Sequence, residues 1–372
     1  MLNNKTNPLI SNQNTYIMKK LAFTLLSIAL ATVAVSAQNL AKNEAKAINS
    51  FLTQLSAKGG TNAMALEAGS ADAASCPGLK IENGHVTEID WHGKDLAGTL
   101  DLSNFPNLGK VNISDNKIVG LVLNNDPVLT EVTASRNRIG ELTITGCDQL
   151  SQLKLNRNKL TNINLTGCPF LKKLNISSNQ ISDLDVSNAV NLEYLNCMSN
   201  RLEQLVITNC TSLKTLYAGY NDLTGLELSG LVKLENLNIA GNKISKLYLQ
   251  DLSSLVTLFC SDNHMTQLAV NNCTALNDIY APYNDLTSFQ LTDCANVAFI
   301  NLAWNDLTTL ILSNQYFLQR LNVANNQLIT LDVSFDQMLT YLNVTNDNLL
   351  TDIRTMGCDN LRQIVGEWND FD

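Results

Sequence analysis

The chain has little of what catalysis and metal binding usually draw on. It holds three histidines in 372 residues, too few for histidine-based chemistry or a histidine-rich metal site. Only 16% of residues are charged, and acids outnumber bases for a net charge of −9. No dominant basic surface can form, which argues against a nucleic-acid partner or an anionic membrane. Aromatics make up 6% and there are six prolines. The nine cysteines are an odd number, so complete internal pairing is excluded. At 45% hydrophobic the chain is too apolar to be disordered, and it is too long for a disulfide miniprotein.

Residues 18–37 have the layout of an export signal. Met18-Lys19-Lys20 is a short basic start, Leu21–Val35 is an apolar run, and Val35-Ser36-Ala37 is a small-residue cleavage site. Residues 1–17 read as a non-native or extended N-terminus before a start at Met18. Export to the periplasm, the cell surface or the medium follows as an expectation, with no membrane span after the signal is removed. Removing residues 1–37 takes away three lysines and no acid, so −9 becomes −12.

The dominant feature is a repeat. Asn116, Asn137, Asn158, Asn179, Asn200, Asn221, Asn242, Asn263, Asn284, Asn305 and Asn326 follow one another at intervals of 21 residues. Apolar residues frame each one at fixed offsets. Around Asn179 these are Leu171 (−8), Leu174 (−5), Ile176 (−3), Ile181 (+2), Leu184 (+5) and Val186 (+7). Position +10 is often cysteine: Cys147, Cys168, Cys210, Cys273 and Cys294. The L-x-L pairs are short strands with one face inward. A unit of this size cannot bury six apolar side chains alone, so the copies must stack around one shared core. The asparagines are expected to cap backbone groups of the next coil as a structural ladder.

This pattern resembles the leucine-rich repeat superfamily. It is most similar to the bacterial 21-residue class with a nested half-repeat, known as IRREKO, because the second half, L-x-x-L-x-L, copies the strand pattern of the first. The resemblance spans about Ile89 to Ile364. It implies a mainly β, flattened right-handed solenoid with short parallel strands on both sides and a helical N-terminal cap. Fourteen strand starts lie between Ile89 and Ile364, which at about 4.8 Å each predicts a stack of roughly 60–65 Å. The expected layout is an N-terminal cap over 38–85 with a helix over about 39–56 and Asn39 as its N-cap. The solenoid then occupies 86–350, and a terminal repeat and cap occupy 351–372, with Trp368 and Phe371 over the last rung. Gly60–Ser75 reads as a loop. The stretch from Cys76-Pro77-Gly78 to Asp90 resembles the lead-in to the first repeat of plant-type leucine-rich repeat proteins.

The cysteines at +10, and Cys197 and Cys260 at −3, point inward and act as small buried hydrophobes. Only the adjacent pairs Cys147/Cys168 and Cys273/Cys294 can reach one another.

Once the frame is known, the outward positions are too. Positions −6, −4, −2 and −1 form the exposed face of the main sheet, the side that commonly binds partners in leucine-rich repeat families. Its middle rungs gather Tyr194, Tyr217, Tyr220, Phe259, Tyr280, Tyr283, Phe299 and Trp304. Exposed aromatics typify interfaces, although cross-strand stacking also stabilises sheets. A second, basic patch combines Lys110, Arg136, Lys154, Arg157 and Lys173. The expectation is a monomeric, non-enzymatic protein without cofactor or metal that binds a protein partner. Glycan binding is the alternative, and a polysaccharide-acting enzyme built on Asp262 and Asp278 is a distant third.

Overall fold

A computed structural model describes residues 40–68, 73–312 and 315–366. The export segment 18–37, the stretch 1–17, Asn39, Trp368 and Phe371 lie outside the described residues. Among those described, no helix is long and apolar enough to cross a membrane.

The molecule is a mainly β parallel solenoid. Among the described residues its main sheet has fifteen strands. Fourteen run parallel in chain order, from His85–Asp90 to Gln363–Val365, and the first, Leu79–Glu82, pairs antiparallel with His85–Asp90. Most are three residues long and occupy positions −6 to −4. Position −5 points inward, so Leu174 pairs in register with Leu153 on one side and Leu195 on the other. All three are fully buried. Burying a leucine is worth about 1.5–3 kcal/mol, and each coil repeats that contribution at several positions.

The second face is strand-like but interrupted. Its strands at +4 to +6 form three sheets of three strands and one of two, not one continuous sheet. Strand is missing over residues 162–164 and 225–227. Asn162, Asn164 and Gly225 flank the inward residue there, and both residue types disfavour strands. Grooves of 440 Å³ and 320 Å³ lie beside these gaps.

The cap helix spans Lys42–Leu52, shorter at both ends than 39–56. Its N-cap is Ala41, which makes no side-chain cap bond. Instead the Ala41 N–H donates to the Gly84 carbonyl. The helix ends with Thr53 as its C-cap, and the side chain of the next residue, Gln54, bonds the N–H and carbonyl of Thr99, both at 2.9 Å. Phe51 stacks on the buried Trp91 with ring centroids 5.7 Å apart. The stretch read as loop contains a one-turn helix, Asn62–Ala65. Buried Asn62 anchors it by bonding the Phe51 carbonyl and both backbone groups of Ala97.

The asparagine ladder reaches back to the preceding coil, not forward. Asn137 Nδ2 donates to the Ile113 carbonyl at 2.8 Å, while its Oδ1 accepts the Ile118 N–H at 3.0 Å. Asn158 repeats both bonds with Ala134 and Ile139. The cysteine column is more than apolar filling. Cys210 Sγ donates to the Val186 carbonyl, and Cys294 Sγ to that of Val270. Both reach back 24 residues, the same step as the asparagine amides. In the second half-repeat cysteine therefore stands where asparagine stands in the first. All nine cysteines are free and buried.

Candidate interaction face

Of the outward positions, −2 is not exposed. Ser114, Ala240, Ala303 and Ala324 are buried there, because the chain dips between the −4 strand residue and a turn at −1. The face is thus two strand columns, −6 and −4, with a turn column at −1 along one edge.

The −1 column has a property that residue types alone do not reveal. Asp115, Arg136, Arg157, Ser178, Ser199, Tyr220, Asp262, Tyr283, Trp304 and Asn325 all have φ between 52° and 59°. Gly241 shares the column at φ 68°. This left-handed conformation suits glycine and asparagine and costs other residues about 1–2 kcal/mol. Tyr220, Tyr283 and Trp304 hold it while more than half exposed, at 58%, 54% and 51%. Gly241 lets the Tyr220 ring lie flat, since a Cβ there would sit 2.7 Å from Tyr220 Cδ1.

Position −4 carries a second cost. At most coils it is asparagine, whose Oδ1 accepts the −2 amide of its own coil. Examples are Asn175 with Ser177, Asn238 with Ala240 and Asn301 with Ala303, all at 3.1 Å. Tyr217, Phe259 and Tyr280 give up that bond. After Tyr280 the −2 residue is Pro282, which has no N–H to satisfy.

The aromatics form three groups. Tyr194 and Tyr217 meet edge to face at 5.9 Å. Tyr280 lies between Phe259 at 4.5 Å and Phe299 at 4.9 Å. Tyr283 and Trp304 stack at 5.7 Å along the turn edge. Tyr220 stands apart, over Gly241. One further pair belongs to the same face: the Arg320 guanidinium lies 5.1 Å above the Tyr341 ring. Other exposed aromatics lie off this face: Tyr248 at +6, Phe335 at +9, Tyr316 at +11, and Phe170 and Phe317 at +12.

The basic patch is smaller than its residue list. Lys110 sits in register between Glu88 and Glu131, and Arg136 pairs with Asp115 at 3.3 Å. Lys154 and Lys173 are adjacent and line a shallow 280 Å³ depression with Gln152, Asn175 and Tyr194. Arg157 lies on the turn edge, away from them.

Asp262 and Asp278 are not brought together as a carboxylate pair. Asp262 is in a −1 turn, and Asp278 opens the next strand at −6. They occupy different columns of the face on successive coils, one at a turn and one at a strand start. Among the described residues no cluster of His, Cys, Asp and Glu could hold a metal ion.

No family model matches the sequence, and no curated protein matches it either. Solved structures do share the fold, which is that of leucine-rich repeat solenoids. The functional domain of InlJ from Listeria monocytogenes, which includes a cysteine ladder, is 24% identical, with a TM-score of 0.50 over 70% of this chain and 68% of that one. An internalin, inlF, from Listeria monocytogenes is 19% identical, with a TM-score of 0.54 over 78% of this chain and 92% of that one. YopM, a leucine-rich effector protein from Yersinia pestis, is also 19% identical, with a TM-score of 0.55 over 76% and 89%.

Proposed function

We propose that this chain is an exported, monomeric, non-catalytic recognition protein that binds a protein partner through the main-sheet face. The binding centre is the aromatic set Tyr194, Tyr217, Tyr220, Phe259, Tyr280, Tyr283, Phe299 and Trp304. One observation carries the reading: Tyr220, Tyr283 and Trp304 occupy left-handed turn positions while more than half exposed. Glycine or asparagine would serve the fold better there. Residues that cost stability and stand in solvent are what a binding surface retains. The basic start, apolar run and cleavage site of residues 18–37 support export. The similar solved structures support the scaffold, not the partner.

The test is affinity capture by the full chain from host and bacterial surface extracts, beside a Tyr280→Ala/Trp304→Ala variant. A protein retained by the first and lost by the second is expected, with parent and variant equally folded by circular dichroism. A captured protein that ignores the double substitution would move the site elsewhere. Glycan binding is the second reading, because the half-exposed Trp304 and Tyr283 offer ring faces on which sugars stack. A glycan array showing Trp304-dependent signal, with no protein captured, would favour it.

A further inference from the structure

The aromatic half of the face lies in a stretch without cations. From Leu247 to Gln319 there is no lysine or arginine, and there are six aspartates. Two of these frame the rings. Asp278 is half-buried, in register beside Phe299 and on the same strand as Tyr280. Burial alone raises its carboxyl above the usual range, with no cation close enough to offset the effect. Asp262 is exposed on the turn edge, one coil before Tyr283. The flanking basic side chains have partners of their own: Lys243 pairs with Asp222 at 2.7 Å, and Arg320, in register beside Phe299, lies over Tyr341. Within the stretch, His264 lies 3.5 Å from Asp285.

Aromatic faces and unpaired carboxylates share one preference. The negative ring face attracts ammonium and guanidinium groups, and more strongly once they are desolvated. A carboxylate beside the ring completes the cation's hydrogen bonding and supplies the charge that steers it in. The Arg320–Tyr341 pair, at 5.1 Å, shows that this face accepts a guanidinium over a ring.

We propose that the partner presents a basic, extended segment to this half of the face. Its lysine or arginine side chains lie over the Phe259/Tyr280 and Tyr283/Trp304 rings and pair with Asp278 and Asp262. This rests on the main-sheet face being the binding site.

The test uses the full chain and three labelled peptides of equal length, in which serine alternates with arginine, glutamine or glutamate. Binding is read by fluorescence anisotropy at low and high salt. The arginine peptide is expected to bind, and the other two are not. Asp278→Asn and Asp262→Asn should each weaken binding about three- to tenfold, and Tyr280→Ala/Trp304→Ala should weaken it further. Asp183→Asn, on the second face, removes the same charge and should change nothing. Equal loss in Asp183→Asn would mean that only the overall charge is sensed, and the proposal would fail. Equal binding of the glutamine peptide would also overturn it. If the partner captured from extracts depends on Tyr280 and Trp304 but not on Asp262 or Asp278, the binding face stands and the basic partner does not. If it depends on none of the four, both readings fall.

Discussion

Asp347 stands where the twelfth ladder asparagine would be, and its Oδ1 accepts the backbone N–H of Leu328 at 3.4 Å, the bond that Asn326 Oδ1 makes to Leu307. The acceptor half of the ladder is therefore kept. The donor half is not. By the register of the other coils, an amide at 347 would donate to the carbonyls of Val323 and Val344, as Asn326 donates to those of Leu302 and Val323. Asp347 Oδ2 is instead buried without a partner.

Asp347→Asn should therefore stabilise the C-terminal end. Burial pushes the Asp347 carboxyl up to about 6, against lowering by the Leu328 and Asn326 amides. A carboxyl raised in the folded state favours folding while protonated. Its contribution is full below about pH 4 and is lost as pH rises towards 6. Above that, an asparagine should gain about 1–2 kcal/mol by replacing a buried carboxylate oxygen that has no partner with an amide that can donate to the Val323 and Val344 carbonyls. Guanidinium unfolding at pH 8 and pH 4.5 checks this: the gain should be larger at pH 8. An equal gain at both would remove the titration of Asp347 as its cause.

Asp126 makes the same argument at the other end. It occupies the cysteine position, is fully buried and accepts the Phe105 N–H at 2.9 Å through Oδ1. Its Oδ2 has no partner, and burial raises the carboxyl to about 7. Stability from this group should fall between about pH 4 and pH 7. Asp126→Asn should flatten that slope. Hydrogen exchange of the Phe105 amide, faster at pH 8 than its chemistry predicts in the parent and not in the variant, is the local measurement.

The thiols should be inert in the folded protein. Burial pushes Cys76, Cys147 and Cys210 up to about 11, and Cys168 and Cys197 to about 12. At pH 8 almost no thiolate is present at these five to react. Cys294 differs, because a hydrogen bond with Cys273 lowers its thiol. A disulfide reagent should label none of the five in minutes, with Cys294 the first of the nine to react, and should label all nine in guanidinium. Fewer than nine in guanidinium without reductant would mean that Cys147/Cys168 or Cys273/Cys294 had closed. Rapid labelling of the native chain would contradict the burial.

The period, the inward columns and the number of parallel strands were legible because each depends on side-chain type at a fixed offset. Leu174 can pair only with Leu153 and Leu195 if 21 residues make a coil. What was hidden depends on backbone geometry or on distant partners. Arg136, Ser178 and Tyr220 share no chemistry, yet share a left-handed φ imposed by the turn. The breaks at Asn162–Asn164 and Gly225 follow from weak strand formers inside an otherwise regular frame. The Asn62–Ala65 helix is held by Asn62 bonding Ala97, 35 residues on, which no local signal announces. For the binding face, the aromatic columns could be read from the sequence. Their cost could not, nor could the placing of Glu88 and Glu131 beside Lys110, and of Asp115 beside Arg136, from the adjacent coils.

Trp304→Asn separates binding from stability most directly. If Trp304 served the fold, its stack on Tyr283 would be the reason, worth about 0.5–1.5 kcal/mol. Against this stands the left-handed backbone at φ 58°, where asparagine relieves about 1–2 kcal/mol of strain. The two terms nearly cancel, with relief slightly ahead, so the variant should unfold at the same denaturant concentration as the parent or a little higher. Trp304→Ala keeps most of the strain and loses the stack, so it should be the less stable of the two. Partner binding should fall in both. A Trp304→Asn protein that loses more than about 1 kcal/mol would show that the stack pays its way structurally, and Trp304 would no longer distinguish a recognition surface from a well-packed sheet.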